Sequence, residues 1–155
     1  MKKTIEQYLP EHPFFAPFDP EIIALFAGCA TNVHYSAGVA LFHEGDAADT
    51  FYLVRKGRVS ITTHQPGVGG IIIDSVDAGG VVGWSWLVPP YRWTFDARAA
   101  KSTSAVAFDA TCLRAKCDKD PAVGYVLLQQ VASVMLTRLE ASRMRLLDLY
   151  GVAAP

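Results

Sequence analysis

The sequence predicts a mainly β fold, a double-stranded β-helix of the jelly-roll kind, flanked by helices and ending in one long helix. Three observations predict it. Between Thr31 and about Phe108, short segments rich in β-branched and aromatic residues alternate with glycine or aspartate clusters every eight to twelve residues. Asp-Pro occurs at Asp19-Pro20 and again at Asp120-Pro121, the N-cap and first-turn pair that starts a helix. From Pro121 to Tyr150 only Gly124 interrupts a helical pattern.

The first helix is expected over 19–28. Asp19 caps it, Glu21 suits the positive end of the dipole, and Gly28 closes it. The roll follows over 31–108, where Lys56-Gly57 between "FYLVR" and "RVSITT" reads as a hairpin turn. Asp109 caps a short helix in "DATCLRAKC", and the long helix completes the segment 109–150. At 1.5 Å per residue the long helix spans roughly 40 Å, more than a small roll can cover.

That helix carries two apolar stripes. Tyr125, Leu128, Ala132, Met135, Leu139, Ser142, Leu146 and Leu149 alternate spacings of three and four, a heptad seam. Leu127, Val131 and Val134 form a second stripe in the first half. Either the second stripe lies on the roll while the seam meets another helix, or both form one wide core face. The first arrangement predicts a homodimer through the 121–150 helix.

The 155 residues fit a single domain, 1–155, with a net charge of −1. That balance gives no electrostatic footprint for nucleic acid. No signal peptide and no unbroken apolar run of membrane length is present, so no membrane partner is expected. Cys29, Cys112 and Cys117 sit at no familiar disulfide or metal spacing, which suits a reducing cytoplasm and buried thiols. His34, His43 and His64 are too scattered for the metal of a jelly-roll enzyme, and no nucleophile–base pair or phosphate-binding glycine loop stands out. Neither a metal nor an enzyme is expected.

All three tryptophans fall in "VVGWSWLVPPYRWTFDARA", from Val81 to Ala99. With "FHEGDAADTFYLVRKGRVSI" (Phe42 to Ile61), "DAGGVVGWSWL" and "FDARA", this stretch resembles the cyclic-nucleotide-binding domains of the catabolite-activator (CRP/FNR) family. The resemblance covers about Asp19 to Tyr150. It implies a phosphate-binding cassette over 83–99, in which a helix N-terminus offers amides to the cyclic phosphate, a glutamate holds the ribose and an arginine pairs with the phosphate. Aligned on Gly83, the glutamate position is Trp84; counted back from Ala99, the arginine position is Trp93.

A phosphate leaving water needs charge-assisted donors, and deleting one member of such a buried pair costs about 2–5 kcal/mol. Ordinary nucleotide affinity is therefore not expected, and whether any ligand binds is left open. The candidate ligand site is Gly83, Trp84, Ser85, Trp86, Arg92, Trp93 and Thr94, closed by the long helix near Thr137. Arg92 is the substitute cation, although a neighbour of an inward Trp93 points outward in a strand. The opposing possibility is that the indoles fill the pocket. The resemblance implies a sensor or regulatory domain that acts through a partner protein. Its relatives that regulate transcription carry a DNA-reading domain after the long helix, and this chain stops at Pro155. The alternative is an interaction module that binds no small molecule, marked by an exposed Trp86–Tyr91 patch.

Overall fold

The computed structural model describes residues 3–151. Helix α1 (Ile5–Tyr8) and two 3-10 turns (Leu9–Glu11, Pro13–Phe15) precede α2 (Pro20–Ala27). Eight strands follow: β1 (Ala30–Tyr35), β2 (Ala40–Phe42), β3 (Thr50–Lys56), β4 (Arg58–Gln65), β5 (Gly69–Asp77), β6 (Val81–Val82), β7 (Asp96–Ala99) and β8 (Thr103–Asp109). Helices α3 (Ala110–Lys119) and α4 (Pro121–Leu149) complete the chain.

The strands form two four-stranded antiparallel sheets, β1-β8-β3-β6 and β2-β7-β4-β5. Lys56-Gly57 turns the chain, but β3 and β4 do not pair, which corrects the expected hairpin. The chain instead crosses from one sheet to the other at Gly57. There φ is +104°, and a Cβ would lie 2.5 Å from the Ser102 carbonyl oxygen, so only glycine fits. The real hairpin is β4–β5, in register from Arg58↔Asp77 to Gln65↔Gly69 with one bulge.

The core gathers where the N-terminal segment meets the roll. Phe14, Phe15, Phe26, Phe51 and Phe108 pack with centroids 5.1–5.9 Å apart. Leu127 and Val131 of α4 are buried on this side, while Tyr125 is 64% exposed and Leu149 83%. The second stripe thus faces the roll; the seam is largely exposed, with its middle residues Ala132, Met135, Leu139 and Ser142 bordering a cavity under α4. By hydropathy alone α4 could also cross a membrane, with a mean of 1.3 over its best window, so the lack of an unbroken apolar run does not exclude that class. Its one-sided burial is that of a helix laid on a roll.

The expectation of three unbridged cysteines is overturned. Cys29 and Cys112 form a disulfide that joins the end of α2 to the first turn of α3, across 83 positions. Sheet register brings them together: Ala30 pairs with Phe108, and the Asp109 N–H donates to the Cys29 carbonyl at 2.8 Å. Cys117 is free and half-buried; burial, helped by Asp118 and Asp120, pushes its thiol pKa up, so it is a poor nucleophile.

Candidate functional site

The cassette connects β6 to β7. Gly83 leaves β6 with φ +68°, and Trp84 to Leu87 form a turn held by the Leu87 N–H to Trp84 carbonyl bond at 3.0 Å. No helix follows Gly83, so the expected amide perch at a helix N-terminus is not built. A β-bridge then sets residues 91–93 antiparallel to 45–48. The Trp93 N–H donates to Asp46 and the Gly45 N–H to Trp93, at 3.0 and 2.8 Å.

This strand-like pairing decides where the two neighbours point. Trp93 turns inward and is 3% exposed, stacked on Phe42 and tilted against Phe95. Arg92 turns outward, its guanidinium donating to the Gly45 carbonyl at 3.3 Å. The alternation of a strand holds here, and Arg92 does not enter the slot as a substitute cation. Trp93 presses so closely on Gly83 that a Cβ there would meet its ring at 2.6 Å. The interior slot beside the cassette is occupied by indole.

Trp86 is fully buried, stacked on Phe51 at 4.8 Å with its indole N–H unpartnered. Tyr91 is half-buried under the Arg114 guanidinium, 4.2 Å from its ring centroid. No exposed Trp86–Tyr91 patch exists. Arg114 also donates to the Trp86 and Ala48 carbonyls, tying α3 to the cassette.

Outside the filled slot, a cavity of about 660 Å³ opens between β5, the cassette and α4. Two of the expected residues line it, Trp84 and Thr94; Ser85, Trp86 and Arg92 do not. Its walls are chiefly apolar, with Asp74, Arg138 and Arg145 as the charged groups. Arg138 reaches from α4 to donate to the Val81 carbonyl, with its guanidinium 5.5 Å from the Trp84 ring centroid. Burial lowers the Arg138 pKa and Asp74 opposes that shift, so the group stays cationic at neutral pH. Arg145 donates to the Ile73 carbonyl at 2.6 Å and faces Asp74 at 3.8 Å. Thr137 instead bonds the Ser133 carbonyl and lines a neighbouring cavity of about 420 Å³ with His12 and Gln130.

Sequence reasoning missed Arg138, Arg145 and Asp74. The two arginines stood beside the apolar stripes of α4, and only its crossing over β5 turns them toward a cavity. Among the described residues no three His, Cys, Asp or Glu side chains cluster to hold a metal.

The family described as cyclic nucleotide-binding domain matches residues 32–120. The chain belongs to that family. A putative cyclic nucleotide-binding protein from Geobacter metallireducens is 29% identical, with 90% of this chain and 99% of that one covered and a TM-score of 0.80. The N-terminal domain of a transcriptional regulator from Streptomyces coelicolor is 27% identical over 86% of this chain and 93% of its own, at a TM-score of 0.68. The catabolite activator protein of Thermus thermophilus shares the fold at 23% identity and a TM-score of 0.68, with 90% of this chain and 63% of that one covered. The fold is thus a cyclic-nucleotide-binding β-roll. At the two positions that the resemblance assigns to the family's glutamate and arginine stand Trp84 and Trp93, and the Trp93 indole packs against Gly83 and Phe42.

Proposed function

We propose that this chain is a regulatory sensor module, not an enzyme, whose ligand site is the cavity between the cassette and α4. It acts as a homodimer through the α4 seam and passes its signal to a partner protein, without nucleic acid or membrane. The observation that carries this reading is Arg138, the side chain that joins α4 to both the β6 carbonyl of Val81 and the ring of Trp84. A ligand entering the cavity competes for that guanidinium and so changes how α4 is held, which makes α4 the two-state element. Resemblance to regulator domains supports a cytoplasmic setting, where the Cys29–Cys112 bond would be open to reduction.

Two measurements on the purified chain test the reading. Amide exchange in the Arg138→Gln variant should quicken in α4 beyond Val131 and stay unchanged in the sheets; equal exchange in both proteins would remove α4 as the transmitting element. Thermal unfolding with cAMP or cGMP should show no shift. A site filled a hundredfold over its dissociation constant would add about 2.7 kcal/mol, so a saturable rise of several degrees would show that the chain still takes a cyclic nucleotide.

A further inference from the structure

The cavity beneath α4 holds a cation without a counter-ion. Arg138 is half-buried, and among the described residues no carboxylate forms a salt bridge with it; its contacts are a carbonyl oxygen and an aromatic face. Asp74, the nearby acid, is already engaged by Arg145. One carboxylate and two guanidiniums line the cavity, a surplus of one positive charge. The remaining wall is hydrocarbon and aromatic, with Ile61, Phe95, Leu136 and Leu139 prominent. A charge withdrawn from water and left unpaired is unfavourable, and an anion of matching charge relieves it.

We propose that this cavity binds a small monocarboxylate with an apolar body, its carboxylate on Arg138 and Arg145 and its hydrocarbon against Ile61, Phe95 and Leu139. The assignment rests on the reading that the ligand site lies beneath α4. A volume of about 660 Å³ suits a small molecule. A neutral apolar compound would bury the guanidinium further without pairing it, and a dianion would exceed the surplus charge. A cyclic nucleotide is a monoanion too, but its ribose hydroxyls and base edges need partners. The wall offers the hydroxyls of Thr94 and Ser142 and a carboxylate that Arg145 already holds. Desolvated polar groups without partners weaken binding.

The test is calorimetric titration of the whole chain with decanoate, 1-decanol and cAMP, with tryptophan emission as the second readout because Trp84 lines the cavity. Decanoate should bind saturably, one per chain, and change the emission. Decanol should bind at least about tenfold more weakly, and Arg138→Gln should weaken decanoate by about tenfold or more while leaving decanol unchanged. Arg145→Gln, on an exposed side chain, gives a second loss that does not depend on the folding of the first variant. Equal affinity for decanoate and decanol, decanoate binding unmoved by either variant, or no decanoate binding would each overturn the assignment. Tight decanoate binding would uphold it even with α4 exchange unaltered in the Arg138→Gln variant, an outcome that sinks only the transmission step.

Discussion

Phe42 and Trp93 stack inside the roll with centroids 3.8 Å apart and planes 8° from parallel. The pair closes the space that the resemblance assigns to a nucleotide phosphate. It also explains why Gly83 must be glycine: its positive φ and the indole at 2.6 Å both exclude a side chain.

Trp93→Ala should therefore behave as a core truncation. Large aromatic deletions cost about 3–5 kcal/mol, of which the stacked pair itself contributes roughly 0.5–1.5. Trp93→Arg, which restores the family's cation, should cost more, because it places a guanidinium among Phe42 and Phe95. Urea denaturation of the three proteins checks both. A Trp93→Arg chain as stable as the parent would show that the slot is open to charge after all.

His12 gives the fold a pH dependence of definite sign. Its Nδ1 accepts from the Phe14 N–H at 3.1 Å, so the proton sits on Nε2, which donates to the Gly79 carbonyl at 2.7 Å. Burial holds the pKa below the ordinary 6.5, with the Gly79 bond opposing. The unfolded chain then binds the proton more readily than the folded one. The stabilisation is complete above 6.5 and is lost as pH falls from there toward the folded value. Thermal melts from about pH 7.5 to about pH 5 should show falling stability, and His12→Gln, which keeps a donor for Gly79, should flatten that slope. Identical slopes would place the acid sensitivity elsewhere.

The Cys29–Cys112 bond closes a loop of 83 positions, long enough to restrict the unfolded chain strongly. Reduction, or the double variant Cys29→Ser with Cys112→Ser, should cost about 2–4 kcal/mol and lower the melting temperature by roughly 5–15 °C. Alkylation trapping in intact cells would then report how much of the bond exists in place. An unchanged melting temperature under reductant would mean that the pairing of β1 with β8 already holds those ends.

Local signals carried most of the fold. Asp19, Asp109 and Asp120 mark three helix starts, although only Asp109 uses its side chain, accepting from the Cys112 N–H at 3.1 Å. The spacing of strands predicted a roll, and the two stripes of α4 separated into a buried and an exposed face. What failed was non-local. A turn at Lys56-Gly57 is written in the sequence, but not which sheet each flanking strand joins. Cys29 and Cys112 meet only because β1 and β8 are neighbours. In the site, the family pattern led to Trp84 and Thr94 but said nothing of Arg138, whose role exists only where α4 crosses the cassette.

The exposed seam of α4 can be tested without disturbing that crossing. Leu128 and Leu146 are 51% and 53% exposed, and neither lines the cavity. Each such side chain forfeits about 1.5–3 kcal/mol of burial while it faces water, so several on one face favour a covering surface. In a two-fold pair of helices a residue near the axis meets its own copy, and a glutamate there sets like charges together. The parent chain is expected to sediment at about twice its 16.8 kDa, and Leu128→Glu with Leu146→Glu to sediment as a monomer with an unchanged far-ultraviolet spectrum. A parent that is already monomeric at high concentration would remove the homodimer and leave the seam to a different protein.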